Sequence, residues 1–68
     1  MTRREAKQRL RDANADVARE LARHTGLTHA QVNGELNRRA GIQRVAQATL
    51  DQLERRLRMA DRWMATAR

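Results

Sequence analysis

The stretch ELARHTGLTHAQVNGELNRRAGI, residues 20–42, contains two glycines that each follow an apparent helix end, and it decides the fold. Gly26 and Gly41 stand where a residue in the left-handed conformation commonly closes a helix. Between them, Thr28 and Gln31 fit the capping box, in which the Thr hydroxyl and the Gln side chain satisfy free backbone N–H groups at a helix start. The stretch therefore predicts a short helix between the two glycines.

The same capping signal occurs twice more, at Thr2–Glu5 and at Thr49–Gln52. Proline is absent, and Ala, Leu, Arg, Gln and Glu, which all favour helix, dominate the chain. The sequence predicts an all-α, single small three-helix domain over residues 1–68, either a whole protein or an accessory module of a larger one. The predicted order is a long, a short and a long helix with a helix-turn-helix-like corner, over 3–25, 29–40 and 50–66.

Apolar residues recur every three or four positions in both long helices, as expected for faces that pack together. The predicted stripes are Ala6, Leu10, Ala13, Val17 and Leu21 in the first helix and Leu50, Leu53, Leu57, Ala60 and Met64 in the last. Asp12, Asn14 and Asp16 are poor helix formers, so we consider a bend or a restart of the helix near Asp16. Residues 43–48 remain ambiguous between a loop and one helical turn anchored by Val45.

The chain carries fifteen Lys and Arg against eight Asp and Glu, a net charge of +7. Such an excess in a small chain favours a polyanionic partner, and nucleic acid is the usual one. There is no cysteine, no apolar run long enough to cross a membrane and no apolar segment after the basic start. We expect a cytoplasmic protein without a membrane role.

Nothing in the sequence indicates catalysis. No nucleophile stands beside a base at a readable spacing, no glycine-rich nucleotide loop is present, and two histidines alone do not make a metal site. We therefore expect no enzyme activity, no cofactor and no metal.

The segment ARHTGLTHAQVNGELN, residues 22–37, resembles the turn and recognition helix of bacterial transcription regulators. A small residue, a turn glycine and two apolar anchors fall at the expected offsets, at Ala22, Gly26, Val32 and Leu36. The segment departs from the pattern at Gly34, inside the second helix, and at a commonly apolar position that is Glu35 here.

The resemblance implies that the second helix enters the major groove and contacts bases, with DNA expected rather than RNA. Side chains facing base edges would be His29, Ala30, Gln31, Asn33, Gly34, Asn37 and Arg38, where Asn and Gln suit adenine and Arg suits guanine. Phosphates would be met by Thr28, Arg39 and Arg44 and by the basic cluster Arg3, Arg4, Lys7, Arg9 and Arg11. Alternatively, Asn33 and Asn37, one turn apart, bond across to a neighbouring helix.

A second resemblance covers residues 25–64. The patterns His-x-x-Val-Asn-x-x-Leu-Asn-Arg at 29–38, Gly41-Ile42 and Ala-Thr-x-x-Gln-Leu-Glu-Arg-Arg-Leu at 48–57 are similar to a helical segment at the C-terminal ends of actinobacterial DEAD/DEAH-type helicases and in phage DNA-associated proteins. This resemblance implies a non-catalytic accessory module beside a nucleic-acid motor.

The alternative function is a protein–protein interaction or dimerisation module. Met59, Trp63 and Met64 lie near the end of the last helix, and Trp and Met are favoured at protein contacts. Met59 and Trp63, four residues apart, form a second apolar ridge beside the leucine stripe of the last helix. One ridge would complete the core while the other meets a second copy or a larger protein partner. In the simpler interpretation, Trp63 only closes the end of the bundle.

Overall fold

The computed structural model describes residues 1–67, which form an all-α domain of three helices. Helix α1 spans Arg3–Thr25, α2 spans His29–Ala40 and α3 spans Leu50–Ala67. The predicted bounds are confirmed, with α3 ending one residue later than expected. The 23-residue α1 would measure about 34 Å at 1.5 Å per residue, so it runs the length of a molecule that measures 35 × 21 × 17 Å.

The predicted caps are confirmed at every position. Thr2, Thr28 and Thr49 each accept a backbone N–H from three residues ahead at 3.1 Å, and Glu5, Gln31 and Gln52 accept the Thr N–H in return. Gly26 and Gly41 adopt the left-handed conformation with φ of 76° and 71°. The corner between α1 and α2 is therefore a tight three-residue connection.

Helix α1 continues without interruption through its polar middle, so it does not restart near Asp16. Each polar side chain there is hydrogen-bonded or ion-paired, either to another side chain of α1 or to a neighbouring helix. Asp12 accepts a hydrogen bond from Gln8, Asp16 pairs with Arg19, and Asn14 donates to a carbonyl of α3. Because these groups are satisfied without opening the helix, the low helix propensity of Asp and Asn does not break it.

The ambiguous connection contains a 3₁₀ helix, Val45–Gln47, which settles the choice in favour of one helical turn. Val45 is only half-buried, whereas the neighbouring Ala48 is buried, so the anchor of this turn is shared between the two. Arg11 of α1 also donates to the Ala46 carbonyl at 3.1 Å. The turn is thus tied to the middle of α1.

The core lies where all three helices meet. Its buried residues are Ala18, Leu21, Val32, Leu36, Ala60 and Met64. Helices α1 and α3 form the largest packing pair and run in the same direction, because Asn14 lies beside Leu53 while Leu21 lies beside Ala60 and Met64. Within residues 1–67, no helix is long and apolar enough to cross a membrane.

Candidate nucleic-acid interface

The two asparagines expected to face bases on α2 face α3 instead. The Oδ1 atoms of Asn33 and Asn37 each accept a hydrogen bond at 2.9 Å from the guanidinium of Arg56, and both side chains are half-buried. The outward orientation predicted for Asn33 and Asn37 is therefore wrong, and the alternative of bonding across to a neighbouring helix describes them. Their amide oxygens already have a charged donor inside the domain.

Arg56 is the centre of this arrangement and is 1% exposed. Its third nitrogen, Nη1, donates to the Oδ1 of Asn14 at 2.9 Å. Asn14 is equally buried and donates to the carbonyls of Leu10 and Leu53 at 2.8 and 3.2 Å. One guanidinium thus links α1, α2 and α3 through three asparagines.

The charge of Arg56 has no counterion among residues 1–67, since no carboxylate lies within 4.0 Å of it. Burial lowers the pKa of Arg56 because it disfavours the charged form. An arginine nonetheless stays protonated in proteins. The domain therefore encloses a positive charge that only neutral amide oxygens stabilise.

Sequence reasoning missed Arg56 and Asn14, although their positions contained a signal. Arg56 falls three after Leu53 and four before Ala60, which places it on the inner stripe of α3. Asn14 falls in the same way on the inner stripe of α1. Polar residues on an apolar face at helical spacing can indicate a buried hydrogen-bonded pair. Apolar periodicity alone does not predict their burial, because they are not apolar.

The start of α2 remains exposed, but its polar groups are partly engaged. Thr28 and Gln31 use their side-chain oxygens in the capping box. His29 and Ala30 are exposed, and His29 lines a groove between α1 and α2. Exposed Gly34 has open space on its side-chain side, since a Cβ placed there would meet no atom within 4 Å.

The basic end of α2 is organised around one acid. Glu35 accepts hydrogen bonds from Arg38 at 2.6 and 3.1 Å and from Arg39 at 2.8 Å. The hydrogen bonds from Arg38 and then from Arg39 lower the pKa of Glu35 from 4.5 to about 2, and the pKa of Arg38 is raised in return. Two of the cations predicted to meet nucleic acid therefore share a carboxylate of their own helix.

The basic side chains at the start of α1 are arranged differently. Arg3, Arg4, Lys7 and Arg11 together line one open concavity of about 410 Å³. Among residues 1–67, none of the four has a carboxylate within 4.0 Å. Residues 3–11 hold five cations and one acid, and that acid, Glu5, caps the helix. The structure thus brings four of the five cations of this predicted cluster, all but Arg9, into a single cationic face.

The remaining predicted cations lie apart from this face. Arg9 is exposed, and Arg44 is exposed in the connection before the 3₁₀ helix. Neither lines the concavity formed by the other four. Arg11, in contrast, also lines the groove between α1 and α2.

The apolar residues predicted to meet a protein partner are mostly used inside the domain. Met64 is 5% exposed and belongs to the core, so its prediction as a surface contact is wrong. Trp63 is half-buried against that core, and the Arg39 guanidinium lies 4.6 Å from the centre of its ring. Met59 is half-buried as well. The structure supports the simpler interpretation in which Trp63 closes the bundle end.

Comparisons of the chain with known protein families, with curated proteins and with solved structures find no significant match. The resemblances to transcription regulators and to helicase segments therefore stay predictions. What the structure defines is the class, a small all-α three-helix domain with a cationic face on α1 and a buried arginine at its centre.

Proposed function

We propose that this domain is a non-catalytic nucleic-acid-binding module that contacts the phosphate backbone of DNA through the cationic face of α1. The observation that carries the proposal is the shared concavity of Arg3, Arg4, Lys7 and Arg11, four basic side chains with no acid paired to them among residues 1–67. Unpaired cations on one face are what a polyanion binds, because each neutralised phosphate releases a counterion.

The position of the four residues along α1 supports this choice. Arg3, Lys7 and Arg11 are successive i, i+4 neighbours, about 6 Å apart along the helix axis, so they form a row rather than a scattered set. The same side of the molecule carries the start of α3, since Arg3 and Lys7 also line a cleft with Thr49, Leu50 and Asp51. The start of a helix favours anions through its free N–H groups.

The exposed cations of α3 offer a weaker alternative surface. Arg55, Arg58 and Arg62 are exposed, but Asp51, Glu54 and Asp61 alternate with them at helical spacing. Acids at i, i+3 or i, i+4 from a cation reduce the local positive potential. Within α1 no acid stands three or four residues from Arg3, Arg4, Lys7 or Arg11, and the acid that lines a cleft with Arg3 and Lys7 is Asp51 of α3. We therefore assign the contact to the face of α1.

The proposal makes binding largely independent of sequence. Contacts to phosphates position a protein on DNA but do not distinguish bases. The amide oxygens of Asn33 and Asn37 accept hydrogen bonds from Arg56, so α2 retains fewer groups for base contacts than its sequence suggests. An accessory role beside a helicase or a transcription regulator fits such a module.

The test is a titration of labelled duplex DNA, single-stranded DNA and RNA at several salt concentrations. Four phosphate contacts predict a slope of log K against log salt of about −3 to −4 for duplex DNA. The triple variant Arg3→Gln, Arg4→Gln, Lys7→Gln should flatten that slope by about three, one for each contact removed.

The matched control is Arg55→Gln, Arg58→Gln, Arg62→Gln, which removes the same charge from α3. It should leave most of the slope in place. Equal losses in the two triple variants, or no salt-dependent binding by the unmodified chain at low ionic strength, would contradict the proposal.

No specific observation favours the protein-interaction alternative. Met64 lies in the core, and Trp63 contacts both the core and Arg39. Within residues 1–67 the exposed large apolar residues are Met1 and Leu27, at opposite ends of α1. Self-association as a homodimer stays a prediction that size-exclusion chromatography of the binding samples would check.

A further inference from the structure

A groove of about 290 Å³ lies between α1 and α2, on a different part of the surface from most of the cationic face. Arg11 and Asn14 of α1, His29 and Asn33 of α2, and Arg56 of α3 line it. Its volume is just below the range of about 300–1,000 Å³ in which drug-sized ligands bind. The groove therefore has room for a phosphate-sized group.

The part of the groove lined by Arg56 is positively charged and incompletely hydrogen-bonded. A guanidinium has five N–H donors, and Arg56 uses three of them on amide oxygens of Asn14, Asn33 and Asn37. Two donors remain without an acceptor among residues 1–67. Enclosing a charge that no anion balances is costly in free energy, so an anion reaching this point would gain an unusually strong interaction.

A second arginine brings unused donors to the same groove. The Nε of Arg11 is buried and has no hydrogen-bond acceptor within the described part of the chain, while its Nη2 donates to the Ala46 carbonyl. That bond fixes the position of the Arg11 side chain. Two arginines from different helices thus line one groove, and each has N–H groups without an acceptor among residues 1–67.

We propose that this groove binds a single phosphate group, which hydrogen-bonds the guanidinium of Arg11 and, once the side chains that cover it shift, the guanidinium of Arg56, which is 1% exposed. The two arginines contribute two positive charges, and the other cation that lines the groove, Arg19, is already paired with Asp16. A phosphate monoester carries about −1.5 to −2 at neutral pH and offers three acceptor oxygens. It therefore matches the groove in charge and in the number of hydrogen bonds it can accept.

A carboxylate matches the groove less well. It carries one negative charge and is satisfied by a single bidentate arginine, whereas the donors here come from two helices. Binding of a free phosphate or phosphomonoester does not depend on the proposed DNA contact. A backbone phosphate entering the groove would extend that contact past Arg11, which lines both surfaces.

The experiment follows the side-chain Nε–H signals of Arg11 and Arg56 by NMR while inorganic phosphate replaces chloride at constant ionic strength. Dimethyl phosphate serves as a probe for a diester, and acetate as a probe for a carboxylate. The expected result is a saturable shift of both signals with inorganic phosphate and binding at least about tenfold weaker with acetate, since it lacks one charge and one charged hydrogen bond.

Two variants make the test specific. Asn33→Asp places a carboxylate on Arg56 inside the groove, so it should raise the thermal unfolding temperature without ligand and weaken phosphate binding by at least about tenfold. Arg11→Gln should weaken binding similarly without adding an acid. Arg55→Gln, which makes the same net charge change as Asn33→Asp on the exposed surface, should change affinity by less than about twofold.

Each outcome decides the proposal. Saturable binding of inorganic phosphate that Asn33→Asp weakens by at least about tenfold supports it. Additional binding of dimethyl phosphate assigns the site to a backbone phosphate, and its absence assigns the site to a free phosphate or monoester. Shifts no larger than those with chloride, equal affinity for acetate, or an undiminished response of Asn33→Asp would overturn it. The Arg3, Arg4, Lys7 triple variant should keep phosphate binding, so failure of the DNA contact and failure of this site are distinguishable.

Discussion

The Nη1 atom of Arg56 lies 2.9 Å from the Oδ1 of Asn14, which is 42 residues earlier in the chain. Both side chains are 1% exposed, and both also bond to other parts of the domain. This hydrogen bond joins the centres of the two long helices. It makes an arginine, the residue type that would be expected on the surface, the polar centre of the bundle.

The three-asparagine arrangement predicts an unusual order of stability for variants of Arg56. Arg56→Met should lower the free energy of unfolding by about 1–3 kcal/mol, because the Oδ1 of buried Asn14 loses its donor. Arg56→Lys should lower it at least as much, since one ammonium cannot reach three diverging oxygens and its charge stays buried. Urea unfolding followed by circular dichroism measures both, with exposed Arg55→Lys expected within about 0.5 kcal/mol of the unmodified chain. A Lys variant as stable as the original would show that charge alone, and not the geometry of the guanidinium, is required.

Gly34, inside α2, and Gly26, in the left-handed conformation, predict opposite responses to alanine. Gly34→Ala should stabilise the domain by about 1 kcal/mol, because the residue is exposed inside α2 and a Cβ there meets open space. Gly26→Ala should destabilise it by about 1–2 kcal/mol, because its φ of 76° is left-handed. Thermal and urea unfolding of the two variants side by side check the signs. If Gly34→Ala also weakens DNA binding despite added stability, α2 approaches the ligand closely at that position.

The acid at the end of α2 predicts a defined pH dependence. The folded-state pKa of Glu35 is about 2, below its ordinary 4.5, so its stabilising contribution is complete above about pH 4.5 and is lost as the pH falls toward 2. The difference in unfolding free energy between the original chain and Glu35→Gln should therefore shrink over that window. The control is Glu54→Gln, an exposed acid with no cation within 4.0 Å among residues 1–67. A Glu35→Gln difference that stays constant from pH 5 to pH 2 would show that the Glu35 pairs do not persist in solution.

The stacking of Arg39 on Trp63 predicts a fluorescence change specific to one of two neighbouring arginines. Arg39→Ala should shift the Trp63 emission to longer wavelength and cost about 0.5–1 kcal/mol, because the guanidinium that covers the ring is removed. Arg38→Ala is the matched control, since Arg38 bonds the same Glu35 but does not lie over the ring. An unchanged emission maximum in Arg39→Ala would mean that the ring is covered by other side chains.

Local interactions explain why so much of the architecture could be predicted. A cap joins residues three apart, and a left-handed glycine is a property of one backbone position, so Thr28, Gln31, Gly26 and Gly41 report helix ends without knowledge of the rest of the fold. The apolar stripes of α1 and α3 likewise predicted which faces of these two helices pack against each other. Leu21, Leu53 and Ala60 are buried as predicted, and Met64 is buried as its place in the stripe predicts, not exposed as its assignment to a partner surface required.

The candidate site was less predictable because its residues have two possible environments. An asparagine on a short helix has the same sequence signature whether it faces a base or a neighbouring helix. Only the crossing of α2 and α3 brings Arg56 within reach of Asn33 and Asn37, 23 and 19 residues away. The basic cluster at the start of α1 was predicted as a set because it lies within nine residues of one helix, where i, i+4 spacing alone places side chains together.

The sequence by itself determined the number, order and ends of the helices, because capping and periodicity act over three or four residues. The tertiary structure alone decided that Arg56 is enclosed, that three asparagines hold it, and that it meets Arg11 at one groove. Those facts depend on side chains brought together from distant positions. Hydrogen bonds between helices determine which way such polar side chains face, because helix propensity and capping signals do not distinguish an inward from an outward orientation.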